Sequence, residues 1–103
     1  MRSQSSNKRR INLFWIKRHK KVLAVCDEEL LNKKFKEKKL VLFADERFYK
    51  EILIDEKQLS ELLINYDNIN IIGNKAVEIA KQMNLIAEVK RIQGISYALI
   101  FKV

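Results

Sequence analysis

The sequence predicts a single compact domain of the α+β class, with a mixed sheet of about five or six strands and three helices. Three observations favour this fold class. The 103 residues are enough for one domain and too few for two. Apolar residues make up 48% of the chain, which is enough for a packed core. Short apolar runs also alternate with segments of helical spacing over residues 11–103.

The first two elements are predicted to be neighbouring strands. Residues 11–16, INLFWI, and residues 22–26, VLAVC, are apolar at nearly every position, which is typical of buried strands. The polar loop KRHKK between them is short, so we expect a hairpin. Residues 1–10 are polar and basic after the first methionine, and we expect them to form a flexible tail.

A short helix is predicted at residues 28–35. Asp27 is a preferred N-cap residue, and Glu28 and Glu29 in a first turn suit the positive end of the helix dipole. The apolar residues that follow have helical spacing, and lysines gather towards the C-terminal end. One helix therefore accounts for every residue type in this stretch.

A strand and two helical segments are predicted next. Residues 40–44, LVLFA, form a third apolar run, and residues 45–50, DERFYK, are typical of a helical turn or an irregular connection. Asp55 and Gln58 make an approximate capping box. Leucines and a tyrosine then recur at helical spacing, so residues 55–66 are predicted to form an amphipathic helix.

The last elements are predicted to be three strands and one helix. Residues 69–72, INII, are typical of a short buried strand, and residues 74–84 have the spacing of a helix. Residues 88–92 are predicted to be a strand that turns at a Gln-Gly pair. Alternation over residues 96–103 predicts the final strand.

Positive charge is concentrated in the first two-fifths of the chain. The net charge is +8. Residues 1–39 hold 13 Lys/Arg against 4 Asp/Glu, a net of +9, whereas residues 40–103 hold 8 against 9, a net of −1. A one-sided basic field is expected for a protein with a polyanionic partner. The alternative is a lysine-rich surface that only reflects the composition of its proteome.

The candidate nucleic-acid-binding residues are the cations of the tail, of the first loop and of the segment after the first predicted helix. They are Lys8, Arg9, Arg10, Lys17, Arg18, Lys20, Lys21, Lys33, Lys34, Lys36, Lys38 and Lys39. Lysine is a point charge that suits phosphate contacts without reading bases. Trp15 is the candidate for stacking on a base, because Phe14 and Trp15 point to opposite faces of a strand. The alternative is that both rings are buried in the core.

The residues that attract attention as a catalytic site are better explained as structure. Cys26 is the single cysteine and His19 the single histidine, and about seven extended residues, roughly 23 Å, separate them. A Cys–His dyad is therefore not expected, and we expect Cys26 to be a small core residue. The chain has too few Cys and His ligands for structural zinc. Neighbouring carboxylates at residues 27–29 point in different directions on a helix, which disfavours a metal site.

A phosphate site is one interpretation of the segment IIGNKA. It places Gly73 and Lys75 where a strand enters a helix, so backbone N–H groups there could hold a phosphate. The alternative is a plain turn. With two glycines in the whole chain there is no glycine-rich loop, and we expect no cofactor and no metal.

Four segments resemble one family. CDEELL at 26–31, FY at 48–49, INIIGNKAVEIA at 69–80 and RIQGISYALI at 91–100 are similar to an archaeal family of small proteins. The family is known as domain of unknown function, number four-two-four. The resemblance runs in colinear order over about residues 13–103.

The chain departs from the family pattern at two places. Asn32 replaces a glycine after the first motif, and Asn can adopt the left-handed conformation that such a glycine often serves. Ser96 and Tyr97 replace a Pro-His pair in the last motif. The resemblance implies an archaeal, cytoplasmic α+β domain without an established reaction, and the family's genes tend to lie near translation genes.

We therefore expect a non-enzymatic RNA-binding accessory protein of the translation machinery. Its partners would be RNA, most simply ribosomal RNA, and ribosomal proteins. One alternative is a protein-interaction or homo-oligomeric structural protein that pairs through an open sheet edge such as residues 96–103. The other is a small enzyme that uses residues 26–29. No apolar run approaches the ~20 residues of a membrane span, and the start lacks the apolar region of a secretory signal. With its single cysteine, this favours the cytoplasm.

Overall fold

A computed structural model describes residues 11–86 and 88–102, so the predicted tail at 1–10 lies outside the described residues. The strands are β1 (Leu13–Arg18), β2 (Leu23–Asp27), β3 (Lys34–Glu37), β4 (Leu40–Phe43), β5 (Ile52–Asp55), β6 (Asn68–Ile72), β7 (Lys90–Ile92) and β8 (Ile95–Phe101). The helices are α1 (Glu46–Tyr49), α2 (Glu56–Asn65) and α3 (Asn74–Gln82), with a 3-10 turn at Glu28–Leu30. None of the helices in the described ranges is long and apolar enough to cross a membrane.

A six-stranded mixed sheet organises the described residues. Its strand order is β5-β1-β2-β6-β8-β7, and β3 and β4 form a separate two-stranded sheet. The central pair β2–β6 is parallel, whereas β1–β2, β1–β5, β6–β8 and β7–β8 are antiparallel. The predicted first hairpin is present, with Trp15 opposite Cys26. The prediction of a single α+β domain with a mixed sheet is confirmed.

Both faces of the large sheet are covered at β2, which explains the continuous apolar run of that strand. Leu23 and Val25 point to the face that α2 and α3 cover, here called the helical face. Ala24 and Cys26 point to the opposite face, here called the hairpin face, which the β3–β4 hairpin and α1 cover. Every residue of β2 is buried, and a strand buried on both sides has no polar alternation.

The helical face is built from the amphipathic pattern that the sequence displays. Leu59 and Leu63 of α2 are fully buried there, and so is Ala76 of α3. The predicted capping box is present: the Gln58 backbone N–H donates to the Asp55 carboxylate at 2.8 Å, and the Asp55 N–H donates to the Gln58 side chain at 3.0 Å. Two satisfied N–H groups fix the start of α2 where it was predicted.

The helix predicted at 28–35 is wrong. After one 3-10 turn the chain reverses at Asn32, which has a φ of +67°, and then enters β3. The Asn32 N–H donates to the Ala44 carbonyl at 2.6 Å, and the Ala44 N–H donates to the Lys33 carbonyl at 3.0 Å. Pairing with the segment around Ala44 replaces helical hydrogen bonds, and an apolar spacing that suits a helix also suits a strand with one inward face.

The sheet edges also differ from expectation. The edge strand β5 was missed, because its four residues merge with the capping signal of α2. The C-terminal strand, proposed as an open edge, lies between β6 and β7. Its pairing with β7 extends only over Ile95–Tyr97. Among the described residues the sheet therefore ends at β5 on one side and, on the other, at β7 together with residues 98–101 of β8, which pair with β6 alone.

Candidate nucleic-acid interface

The β3–β4 hairpin, here called the ribbon, has an inner and an outer face. Lys34 lies opposite Phe43, and Lys36 lies opposite Val41. Between these pairs, Phe35 packs against the core cluster of the hairpin face. Because side chains alternate along a strand, both lysines and their partners point away from that core. The outer face therefore combines cations on one strand with apolar side chains on the other.

The ribbon is tied to the body of the domain at both ends. At its base, the Asn32 side chain donates to the Glu46 carboxylate at 2.8 Å and accepts from the Glu46 N–H at 3.1 Å. Near its tip, the Gln93 N–H donates to the Glu37 carboxylate at 2.8 Å, and the Gln93 side chain donates to the Lys36 carbonyl. These bonds hold the outer face in one orientation across the sheet.

The first loop lies against the same short helix as the base of the ribbon. Lys17 Nζ donates to the Arg47 carbonyl of α1 at 2.8 Å. His19 Nε2 is 2.9 Å from the Phe48 carbonyl, and the two rings stack with centroids 4.3 Å apart. Since α1 has only four residues, it is about 6 Å long. The first loop and the base of the ribbon therefore both contact α1, whereas the tip of the ribbon lies near Gln93.

Seven of the predicted lysines are exposed and form no ion pair among the described residues. They are Lys20, Lys21, Lys33, Lys34, Lys36, Lys38 and Lys39. Exposed ammonium groups on one side of a domain raise the local positive potential. This set is here called the lysine surface: Lys20 and Lys21 belong to the first loop, Lys33 and Lys34 to the base of the ribbon, and Lys36, Lys38 and Lys39 to the part of the ribbon nearer its tip.

Other predicted residues are less suited to a polyanion. Arg18 forms a two-pronged ion pair with Glu51, with Nη2 3.0 Å from Oε2 and Nε 3.2 Å from Oε1. Hydrogen bonds from Arg18 lower the pKa of Glu51 to about 2, so the carboxylate offsets the arginine charge at neutral pH. Lys17 is half-buried. The tail residues Lys8, Arg9 and Arg10 lie outside the described residues.

The two aromatic residues at the start of β1 are placed differently. Phe14 is fully buried on the helical face. Trp15 is half-buried on the hairpin face, and Lys50 Nζ lies 5.3 Å from the centroid of its ring. Its packing against the core cluster leaves less of the Trp15 ring open to a base than an exposed ring would offer. The aromatic ring that lies among exposed lysines is Phe43, which the sequence reasoning missed.

The backbone N–H groups at the start of α3, which one interpretation of the sequence assigned to a phosphate, are bound by the protein itself. The Asp27 carboxylate accepts from the Lys75 N–H at 3.0 Å and from the Ala76 N–H at 2.9 Å. A Cβ on Gly73 would lie 2.2 Å from the Asp27 Cγ atom. The interpretation of this turn as a phosphate loop is therefore wrong, because a carboxylate already binds the backbone N–H groups that a phosphate would use.

Asp27 also does not act as predicted. Among the described residues its side chain makes no capping hydrogen bond to the turn that follows it. Burial raises the pKa of Asp27, while the N–H groups of Lys75 and Ala76 oppose that rise. The carboxylate therefore caps a helix that begins almost fifty residues further along the chain.

The Cys26–Glu29 stretch has a structural role, because it connects the end of β2 to the start of α3. Cys26 is fully buried, as predicted for a small core residue, and its thiol donates to the Asp27 carbonyl at 3.2 Å. Burial first, and then the charges of Asp27 and Glu29, raise its pKa to about 12, so the nucleophilic thiolate is disfavoured at neutral pH. Glu29 forms an ion pair with Lys75 at 3.0 Å. Across the described ranges, no three Asp, Glu, His or Cys residues cluster as metal ligands would.

Comparisons with known proteins identify relatives without an assigned activity. A family model described as "Protein of unknown function (DUF424)" matches residues 14–103. A crystal structure of an uncharacterized conserved protein from Methanopyrus kandleri is similar, with a TM-score of 0.65 and 24% sequence identity. The match covers 89% of this chain and 94% of that one, and at this identity it supports the fold alone. A search of curated proteins found no match.

Proposed function

The chain belongs to the family described as Protein of unknown function (DUF424), and we propose that it is a non-enzymatic, cytoplasmic RNA-binding protein of the translation machinery. It contacts the phosphates of RNA, most simply ribosomal RNA, through its lysine surface. Ribosomal proteins are its further partners. The observation that carries the proposal is the exposure of seven lysines on the ribbon and the first loop, two segments whose nearer ends both contact α1.

The contrast between the two faces supports a polyanionic partner over a uniform lysine bias. Residues 31–50, which hold the ribbon and α1, contain 7 Lys/Arg against 3 Asp/Glu. Residues 55–82, which hold α2 and α3, contain 3 Lys/Arg against 5 Asp/Glu. A compositional bias alone would enrich lysine on both faces. A one-sided field instead steers the basic face towards RNA.

The chemistry of lysine limits what such a surface recognises. An ammonium group contacts phosphate oxygens as a point charge and carries no sequence information. Binding should therefore depend strongly on salt and weakly on sequence, because each phosphate contact releases counterions. The non-enzymatic part of the proposal is supported by Cys26, whose buried, protonated thiol lacks the properties of a nucleophile.

The decisive measurement is RNA affinity as a function of salt. We expect a labelled single-stranded RNA of about 20 nucleotides to bind tightly near 50 mM salt and to lose affinity steeply by about 200 mM. Replacing Lys36 and Lys38 by Glu should weaken binding about tenfold or more at the lower salt. Lys57→Glu with Lys81→Glu is the matched control, because it makes the same charge change on the helical face and should have a much smaller effect.

Three results would contradict the proposal. Absence of RNA binding at low salt would exclude the RNA-binding function, and an RNA affinity that does not change with salt would exclude binding through phosphate contacts. Equal losses in the two double variants would mean that net charge matters and the lysine surface does not. The role in translation has its own test: the protein should co-sediment with ribosomal subunits from a lysate and dissociate at high salt, and failure to co-sediment would remove that role alone.

A further inference from the structure

We propose that the outer face of the ribbon is a stacking platform for single-stranded RNA, on which the Phe43 ring holds a base while the neighbouring lysines hold the phosphates. This inference rests on the proposed RNA-binding function and assigns it a residue and a substrate class. It moves the base contact from Trp15, where the sequence places it, to Phe43.

The surroundings of Phe43 carry this inference. Its ring is 40% exposed on a two-stranded ribbon, and Lys34 Nζ lies 5.0 Å from its centroid. Lys36 is the next outward residue on the same strand, about 6.6 Å further along. A phosphate bound at either lysine therefore brings its nucleotide within reach of the ring. Proteins that bind single strands without sequence preference combine cations and an aromatic surface in this way.

Core packing does not account for the outer face. Phe35 and Leu42 point inward and join the core cluster of the hairpin face. Val41, the next outward residue of β4, is 55% exposed beside Phe43, so the outer face presents two apolar side chains opposite two lysines. Burial of the inner residues already stabilises the ribbon, whereas an exposed aromatic ring adds little to folding. An exposed apolar strip of this kind marks an interaction site.

Two other aromatic residues fit the role less well. Trp15 is half-buried and packs against the core cluster of the hairpin face. Phe101 is 69% exposed, but the ammonium group of its neighbour Lys102 donates to the Leu63 carbonyl at 2.5 Å and is not directed at a phosphate. Phe43 is the exposed ring that the described structure surrounds with outward-pointing lysines.

The test compares RNA with and without bases. A single-stranded oligouridylate of about 12 nucleotides and an abasic oligomer of the same length share the phosphate backbone, and only the first can stack. We expect Phe43→Ala to weaken oligouridylate binding about five- to hundredfold and to leave binding of the abasic oligomer within about twofold of the wild type. Lys34→Gln should weaken binding of both.

Controls at the same site separate stacking from apolar bulk. Phe43→Tyr should restore oligouridylate affinity, because the ring is kept. Phe43→Leu should not, although it keeps an apolar side chain. Leu40→Ala removes an exposed apolar residue from the same ribbon and should change oligouridylate binding little. Circular dichroism and thermal melts of each variant establish that the fold is intact.

Several outcomes would overturn the inference while RNA binding stands. The first is an unchanged affinity of Phe43→Ala for oligouridylate. The second is a loss of affinity in Phe43→Ala that is equal for oligouridylate and the abasic oligomer. The third is a loss of oligouridylate affinity in Phe101→Ala and not in Phe43→Ala. Loss of binding to phosphatidylserine vesicles in Phe43→Ala, with RNA affinity unchanged, would make the ribbon a lipid-binding element. A wild-type protein that binds neither oligomer at low salt would contradict the RNA-binding function itself, and the stacking platform with it.

Discussion

The Asp27 carboxylate joins the end of β2 to the start of α3. Its two oxygens accept from the backbone N–H groups of Lys75 and Ala76 at 3.0 and 2.9 Å. Gly73 makes this approach possible, because it has a φ of +125° and leaves room for the carboxylate where a Cβ would lie. A charged acceptor on the first turn of a helix satisfies two N–H groups and interacts favourably with the helix dipole.

Gly73→Ala should be strongly destabilising. The added Cβ would lie 2.2 Å from Asp27 Cγ, and a φ of +125° is itself strained for alanine. We expect a loss of about 2–4 kcal/mol in the free energy of unfolding, measured by urea denaturation. Gly94→Ala is the control: it has a φ of +79° with nothing within 4 Å of the added Cβ, so only the backbone cost of about 1–2 kcal/mol applies. Similar losses in the two variants would contradict the steric role of Asp27.

At the scale of elements, α1 links the first loop to the base of the ribbon, because both contact it. The Asn32–Glu46 hydrogen bonds fix the position of the base of the ribbon. The stacking of His19 on Phe48 fixes the position of the first loop. Without α1, the first loop and the ribbon would be two independent connections between strands. The short helix is therefore the element that positions the first loop relative to the base of the ribbon.

Asn32 offers a test of how the ribbon begins. Its backbone has a φ of +67°, and its side chain makes two hydrogen bonds to Glu46. Asn32→Ala loses both features, so we expect about 2–3 kcal/mol less stability in urea denaturation. Asn32→Gly loses only the side-chain bonds and should cost about 1 kcal/mol. If glycine proved as damaging as alanine, the left-handed backbone would not be the important feature.

At the scale of the whole molecule, the domain separates its charges. The ribbon, α1 and the first loop carry the positive excess, and the helical face is slightly acidic. The same sheet that divides the core into two clusters also keeps these two surfaces apart. RNA approaching the domain would therefore meet it in a preferred orientation, with the ribbon foremost.

Deleting residues 1–10 should reduce RNA affinity without abolishing it. The segment carries four Lys/Arg and no acid. Log affinity falls with log salt, and each phosphate contact on a single strand makes this negative slope steeper by about 0.7. We expect a shallower slope in the truncated protein, with the loss from the Lys36→Glu, Lys38→Glu pair retained. The measurement is the salt titration described above. Complete loss of binding on truncation would assign the function to the tail and not to the lysine surface.

The sequence by itself determined the fold class, the first hairpin and the start of α2. These features depend on local signals, namely continuous apolar runs, helical spacing and the reciprocal cap of Asp55 and Gln58. It also identified the lysines that gather around the ribbon, because charge can be counted along the chain.

Only the tertiary structure decided where Asp27 acts, whether residues 34–37 form a helix or a strand, and which aromatic ring is exposed. Asp27 bonds to Lys75 and Ala76, partners that no local pattern identifies. A run such as KFKE suits either a helix or a ribbon until a pairing strand is present, and that strand, β4, comes from the following segment. The exposure of Phe43 depends on which face of the ribbon meets the core, and long-range packing sets that orientation.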